Sequence, residues 1–230
     1  MNNPAGSLII DHPSYTVRSI SVSDMENNIY LLTSKTTGQQ ILVDAADNAE
    51  RISKFLRASA DEDVVGSAPI PQLNAVLTTH GHWDHIRALK AVSESDSACD
   101  TWAGAEDAAS ILEQENVKIE HELRGEEELL FDSFALTTIH LKGHTPGSIA
   151  FVLANEDKTY PTVIFTGDSL FPGGVGKTSS PEDFKNLLHD VKTKIFEKFD
   201  DSTVILPGHG KATTLGVDRH NLDDWEERGW

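Results

Sequence analysis

The sequence predicts an α/β fold in which two sheets pack together with helices on the outside. Short apolar strands and helical segments come in two successive sets, one over residues 15–92 and one over residues 134–206. Several of the strand-like runs end in turns that carry glycine together with histidine or aspartate, so the polar chemistry gathers at strand ends. No internal repeat or low-complexity linker interrupts the chain between Ser7 and Asp218, and residues 1–230 are expected to form one domain.

Residues 15–22, 29–32 and 41–43 are rich in β-branched and apolar side chains and predict short strands. A helix is expected to open at Asp47, because Asp47 and Glu50 have capping-box spacing and Ile52, Phe55 and Leu56 then recur at helical intervals. Residues 73–78 predict another strand, followed by a histidine-rich turn and a helical stretch over 84–92. Residues 98–102, around Cys99, form a short strand-like run in which Cys99 reads as a small buried apolar residue. Strands follow at 134–141, 149–153, 163–165 and 204–206. The strongest helix signal is Ser180-Pro181-Glu182-Asp183, with a serine N-cap and proline at the first helical position. Phe184, Leu187, Leu188, Val191, Ile195 and Phe199 then form one apolar stripe, expected to pack on the core.

Composition narrows the function. Acidic residues number 37 against 19 basic ones, a formal net charge of −18, which repels phosphate backbones and sets nucleic acid aside as a partner. No apolar run approaches the ~20 residues that span a bilayer, and residues 1–10 lack the basic and apolar regions of a signal peptide. Cys99 is the only cysteine, so no intrachain disulfide forms, which suits a reducing cytoplasm. A small-molecule substrate is the expected partner.

The chemistry starts at Thr78-Thr79-His80-Gly81-His82-Trp83-Asp84-His85. A lone histidine is usually structural, but three imidazoles and a carboxylate just beyond a strand are hard to explain as packing. His80 and His82, two apart in an extended turn, can converge on one ion, while Asp84 and His85 point to a neighbouring position. Imidazole and carboxylate suit zinc and other first-row divalent ions. His144, Asp168 and His209 each follow a later strand beside glycine, in Gly143-His144, Gly167-Asp168 and Gly208-His209. Each alone reads as a turn residue; together with the first motif they make one constellation at one edge of two sheets.

On these residues the sequence resembles the metallo-β-lactamase superfamily, and within it the glyoxalase II group of hydroxyacylglutathione hydrolases, from residue 28 through His209. The resemblance implies an αββα sandwich and two divalent metal ions, zinc first, with iron and manganese as the other candidates. It implies that His80, His82 and His144 hold one ion, that Asp84, His85 and His209 hold the other, and that Asp168 bridges them. Asp84 is also assigned a catalytic part, and Asp44, ending a strand, is expected to orient a ligand through a hydrogen bond. His85 argues against a true β-lactamase, since these generally lack a ligand histidine there. The other five histidines, His12, His121, His140, His189 and His220, match no ligand position and read as surface or packing residues.

The implied reaction is attack by a metal-bridging hydroxide on a thioester or ester such as S-lactoylglutathione, with no serine or cysteine nucleophile. Gly173-Gly174-Val175-Gly176-Lys177-Thr178 ends like a phosphate-binding loop, but Phe171 stands where that pattern needs its first glycine. The family offers Lys177 another role, as the basic residue that contacts glutathione. The short bacterial-type members usually read G-R-T-D here, so Lys177 and Ser179 both depart from them, yet the 21 residues after His209 match their length. Iron-dependent persulfide dioxygenases and lactonases, whose ligand positions overlap these, are the alternative activities.

Overall fold

The structure, a computed structural model, describes residues 3–66, 71–95, 99–155 and 159–229. The first sheet holds seven strands in chain order: β1 (Ser7–Asp11), β2 (Tyr15–Val22), β3 (Asn27–Ser34), β4 (Gln39–Val43), β5 (Gln72–Leu77), β6 (Asp100–Gly104) and β7 (His121–Leu123). β1 to β4 pair antiparallel and β4 to β7 pair parallel. The parallel strands need crossovers, supplied by α1 (Ala49–Asp63), then α2 (Trp83–Ile86) with α3 (Leu89–Ser93), then α4 (Ala108–Glu115).

The chain continues through β8 (Glu128–Leu130), β9 (Ala135–His140), β10 (Ile149–Leu153) and β11 (Val163–Gly167) into a hairpin of β12 (Leu170–Phe171) and β13 (Gly174–Val175). Then come α5 (Pro181–Asp190), a π-helical extension over Val191–Phe196, β14 (Val204–Pro207), β15 (Thr213–Thr214), α6 (Leu215–Asp218) and α7 (Leu222–Arg228). The second sheet is ordered β15-β14-β11-β10-β9-β8.

Strand alternation sorts the apolar side chains into three layers, because successive residues point to opposite faces. Tyr30 and Leu32 of β3, Ile41 and Val43 of β4, Phe151 and Leu153 of β10, and Val163 and Phe165 of β11 meet between the sheets. Ile29, Leu31, Leu42 and Val76 face the other way, onto Ile52 and Phe55 of α1 and Ile86 and Leu89 beyond β5. Ala150, Val152, Ile164 and Ile205 pack on Leu187, Leu188, Val191 and Ile195. With both faces of each sheet covered, the central strands read as continuous apolar runs, and the architecture is the expected αββα sandwich. Among the described residues no helix is long and apolar enough to cross a membrane.

Local signals held unevenly. Ser180 caps α5 by accepting a hydrogen bond from the Asp183 amide at 3.1 Å, with Pro181 at the first helical position. The expected cap at Asp47 moves by one: Asn48, at φ 57°, accepts from the Arg51 amide, while Glu50 instead pairs with Lys54. The helix expected over 84–92 breaks in two, because the Ala88 amide donates to the Ala45 carbonyl at 2.9 Å, tying the chain back to the end of β4. Cys99 is half-buried against the outer core, and Ala98 of its strand-like run lies outside the described residues.

Candidate metal centre

Strand direction explains why distant histidines meet. β10 is antiparallel to both β9 and β11, and β11 pairs in parallel with β14, so β9, β11 and β14 all run one way. His144, Asp168 and His209 follow the C-terminal ends of these three strands. His80, which follows β5, and His82, Asp84 and His85, at the start of α2, reach the same edge from the first sheet. An antiparallel bridge between Asn27 and His209 joins the sheets there.

The donor atoms form two groups. His144 Nε2 lies 2.9 Å from His82 Nδ1 and 3.2 Å from His80 Nε2. His209 Nε2 lies 3.2 Å from His85 Nε2 and 3.3 Å from Asp84 Oδ2. Asp168 stands between them, Oδ1 3.4 Å from His85 Nε2, and Oδ2 3.4 Å from His209 Nε2 and 3.7 Å from His144 Nε2. Donors held 2.0–2.1 Å from one zinc at tetrahedral angles lie about 3.3 Å apart, so these spacings are those of ligands that share an ion. A second observation agrees: Asp168 Oδ1 is buried and has no hydrogen-bond partner among the described residues. A buried carboxylate oxygen without a partner is costly, and a cation between these groups satisfies it. The residues therefore fit two divalent ions, all seven predicted ligands are brought together, and the other five histidines contribute to neither group.

Each imidazole is held by its other nitrogen or by packing. His85 Nδ1 faces Asp44 Oδ2 at 2.9 Å, and Asp44 also accepts from the Thr79 amide at 2.7 Å and the Thr79 hydroxyl at 2.8 Å. Thr79 Oγ1 in turn lies 3.1 Å from His80 Nδ1, so one buried carboxylate orients an imidazole from each group. His144 Nδ1 donates to the Lys177 carbonyl at 2.7 Å and His209 Nδ1 to the Met25 carbonyl at 2.8 Å. His82 differs, because it offers Nδ1 to the cluster. Gly208 must be glycine: a Cβ there would sit 2.3 Å from Asp168 Oδ1.

Electrostatics follow from this crowding. Burial, then the neighbouring imidazoles, push His80 well below the ordinary histidine range; burial and His144 also lower His82. Burial opposes charge on His85, but its hydrogen bond to Asp44 and the charges of Asp44, Asp168 and Asp84 outweigh it and raise its pKa. Asp168 raises His209 to about 9 in the ion-free chain.

Two residues at the site carried no signal in the sequence. Asp107, 3% exposed, accepts from the Gly81 amide at 2.8 Å, the Thr145 hydroxyl at 2.7 Å and the Gly147 amide at 2.8 Å. It clips the loop bearing His80 and His82 to the loop bearing His144. Asn27 donates from Nδ2 to Asp84 Oδ2 at 3.0 Å, fixing that carboxylate from β3. Both act through long-range contacts that no local motif announces. Lys177, expected to touch substrate, is exposed just after β13, and its described contact with the centre is the backbone carbonyl on His144.

Comparison with known proteins agrees with this geometry. A family model described as metallo-beta-lactamase superfamily matches residues 23–209. Hydroxyacylglutathione hydrolase GloC of Haemophilus influenzae is 33% identical over 164 residues, covering 65% of this chain and 74% of the relative. The crystal structure of the BLEG-1 B3 metallo-beta-lactamase aligns with a TM-score of 0.69 at 26% identity, covering 89% of this chain and 96% of that one. The expectation that His85 separates the chain from β-lactamases does not stand against that likeness. TTHA1623, crystallised in a di-iron-bound form, aligns with a TM-score of 0.66 at 24% identity over 87% of this chain and 96% of that one.

Proposed function

The chain belongs to the metallo-beta-lactamase superfamily, and from that premise we propose that it is a two-metal hydrolase of small-molecule thioesters or esters, working in the cytoplasm. The observation that carries the reading is the convergence of seven His and Asp side chains around a buried Asp168 oxygen that has no hydrogen-bond partner among the described residues. The similarity to a hydroxyacylglutathione hydrolase supports a thioester substrate. The −18 net charge and the lone cysteine support, in turn, a small-molecule substrate and a reducing compartment.

Zinc is the first candidate for both ions, with iron supported by the di-iron neighbour and manganese as the third candidate. Bound there, such ions supply a water whose pKa falls towards ~7 and a Lewis acid for the carbonyl oxygen. The protein's own part is orientation and protonation state. Asp44, Thr79 and the carbonyls of Lys177 and Met25 fix the rings, so that His80, His85, His144 and His209 each present Nε2 to the cluster. Burial keeps His80 neutral at physiological pH, as a ligand must be. Asn27 holds the Asp84 carboxylate against rotation.

The test is metal analysis of the purified protein together with turnover of a glutathione thioester, a lactone, a cephalosporin and glutathione persulfide. Two divalent ions per chain and preferential thioester cleavage are expected. A single iron with oxygen-consuming oxidation of the persulfide, or preferential opening of the β-lactam, would overturn the proposal.

A further inference from the structure

Helix α4 grips the turn between His80 and His82 from both of its ends. The Gly81 peptide is buried; its amide donates to Asp107 Oδ2 at 2.8 Å, and its carbonyl accepts from Gln114 Nε2 at 2.9 Å. The approach is close, since a Cβ on Gly81 would lie 3.2 Å from Asp107 Cβ. Gln114 is steadied in turn by Ser110 of the same helix, whose hydroxyl oxygen accepts from Nε2 at 2.8 Å. Asp107 stands at the N-cap position of α4, where aspartate is a favoured cap, yet its side chain makes no capping bond. Both oxygens serve the ligand loops instead. Oδ2 takes the Gly81 amide and the Thr145 hydroxyl, and Oδ1 takes the Gly147 amide. A Cβ on Gly147 would lie 2.6 Å from the Asp107 backbone nitrogen, so the loop that carries His144 docks directly on the start of α4.

These contacts serve only one of the two donor groups, that of His80, His82 and His144. The other group has its own supports: Asn27 on Asp84, the Met25 carbonyl on His209 and Asp44 on His85. Asp44 reaches both groups, because Thr79 relays it to His80. Asp107 and Gln114 make no hydrogen bond to residues 84–85 or 208–210 among the described residues. His82 makes this separation matter. It offers Nδ1, the ring nitrogen nearer the backbone, so the position of its donor follows the peptide beside it more closely than an Nε2 would. A fixed Gly81 peptide therefore fixes that donor, while Asp107 sets its distance from His144.

We infer that Asp107 and Gln114 are positioning residues that set the ion affinity of the His80, His82 and His144 group separately from that of the Asp84, His85 and His209 group. This rests on the two-metal reading above and divides its centre into two halves with independent supports. Loss of the α4 grip should leave a chain that holds one ion firmly and the other weakly.

The experiment measures zinc affinity of the chelator-treated full chain by competition with a chromogenic chelator, in two backgrounds. His209→Ala leaves the first group complete, and His82→Ala leaves the second complete. Adding Asp107→Asn should weaken zinc by about ten- to a hundredfold in the His209→Ala background, as losses of an orienting partner do, and leave it unchanged in the His82→Ala background. Gln114→Met removes one neutral hydrogen bond at an exposed position, and should cost about two- to tenfold in the first background alone. That variant decides the matter if Asp107→Asn does not fold. Equal losses in both backgrounds would reduce the grip to general packing, and no loss in the first would remove it; either result overturns the inference. Zinc stoichiometry of the unsubstituted chain tests the two-metal reading on its own. Two ions without the expected selectivity would sink the inference alone. A single ion whose affinity falls in Asp107→Asn would uphold the inference and remove the two-metal reading, and a chain that binds none would remove both.

Discussion

Arg18 and Asp63, which belong to neither donor group of the metal centre, bury a carboxylate in a way that contrasts with Asp168. Arg18, 5% exposed on β2, donates through Nε and Nη2 to the two oxygens of Asp63, each at 2.7 Å, and the Thr16 hydroxyl adds a third bond at 2.7 Å. That carboxylate is neutralised within the chain, and the pair raises the Arg18 pKa still further, first through the hydrogen bond to Asp63. Asp168 is surrounded by imidazoles whose ring nitrogens lie within 3.2 Å of one another in each donor group, and its Oδ1 has no hydrogen-bond partner among the described residues. Both regions are closely packed. Completeness separates them: a structural ion pair closes on itself, whereas a ligand cluster closes only on a cation from outside.

Substitution at each region should break the contrast differently. Asp168→Asn keeps the volume but weakens the one carboxylate placed between both donor groups. Losses of an orienting partner typically run ~10–100-fold, so activity here should fall by more than about 100-fold, with fewer ions retained per chain on metal analysis. Retention of both ions and near-normal turnover would reduce Asp168 to a turn residue.

Arg18→Met should act on stability alone. Removing one partner of a buried pair leaves an uncompensated charge and costs about 3–5 kcal/mol, read by urea unfolding, while metal content stays at the wild-type level. Metal loss in this folded variant would mean that the two regions are coupled and that the contrast is false.

The smallest effect concerns pH in the ion-free chain. His209 is raised from 6.5 to about 9 through Asp168, so its protonation stabilises the ion-free fold fully below about pH 6.5, and that stabilisation is lost as pH rises through about 9. Relative to His209→Asn, the chelator-treated wild type should lose part of its melting-temperature advantage between those pH values. Ion affinity should strengthen over the same interval, because the ion displaces that proton. A constant difference between the two melting curves would show that His209 does not titrate there.

Much of this centre was legible because metal chemistry constrains residue type and spacing locally. His80, His82, Asp84 and His85 lie within six residues, and His144, Asp168 and His209 each follow a strand beside a glycine. Asp44 was legible for the same reason, at the end of β4. Helix α5 was legible from its Ser180 cap and its stripe, since both are written in neighbouring residues. The two-residue strands β12, β13 and β15 were not, because two residues cannot show a period.

What the sequence determined by itself was therefore the chemical inventory and the alternating pattern that builds the layered sandwich. Tertiary structure decided how the inventory is held. It set which ring nitrogen each histidine presents, since Nδ1 of His209 is fixed by a carbonyl 184 residues away. It placed Asp107, 26 residues from Gly81 and 40 from Gly147, as the clip between two ligand loops. It folded α7 over the glycine hairpin, setting Arg228 beside Lys177. The physical reason is one of range: a ligand's identity is a property of one side chain, but its direction is a property of hydrogen bonds that exist only once both sheets have packed.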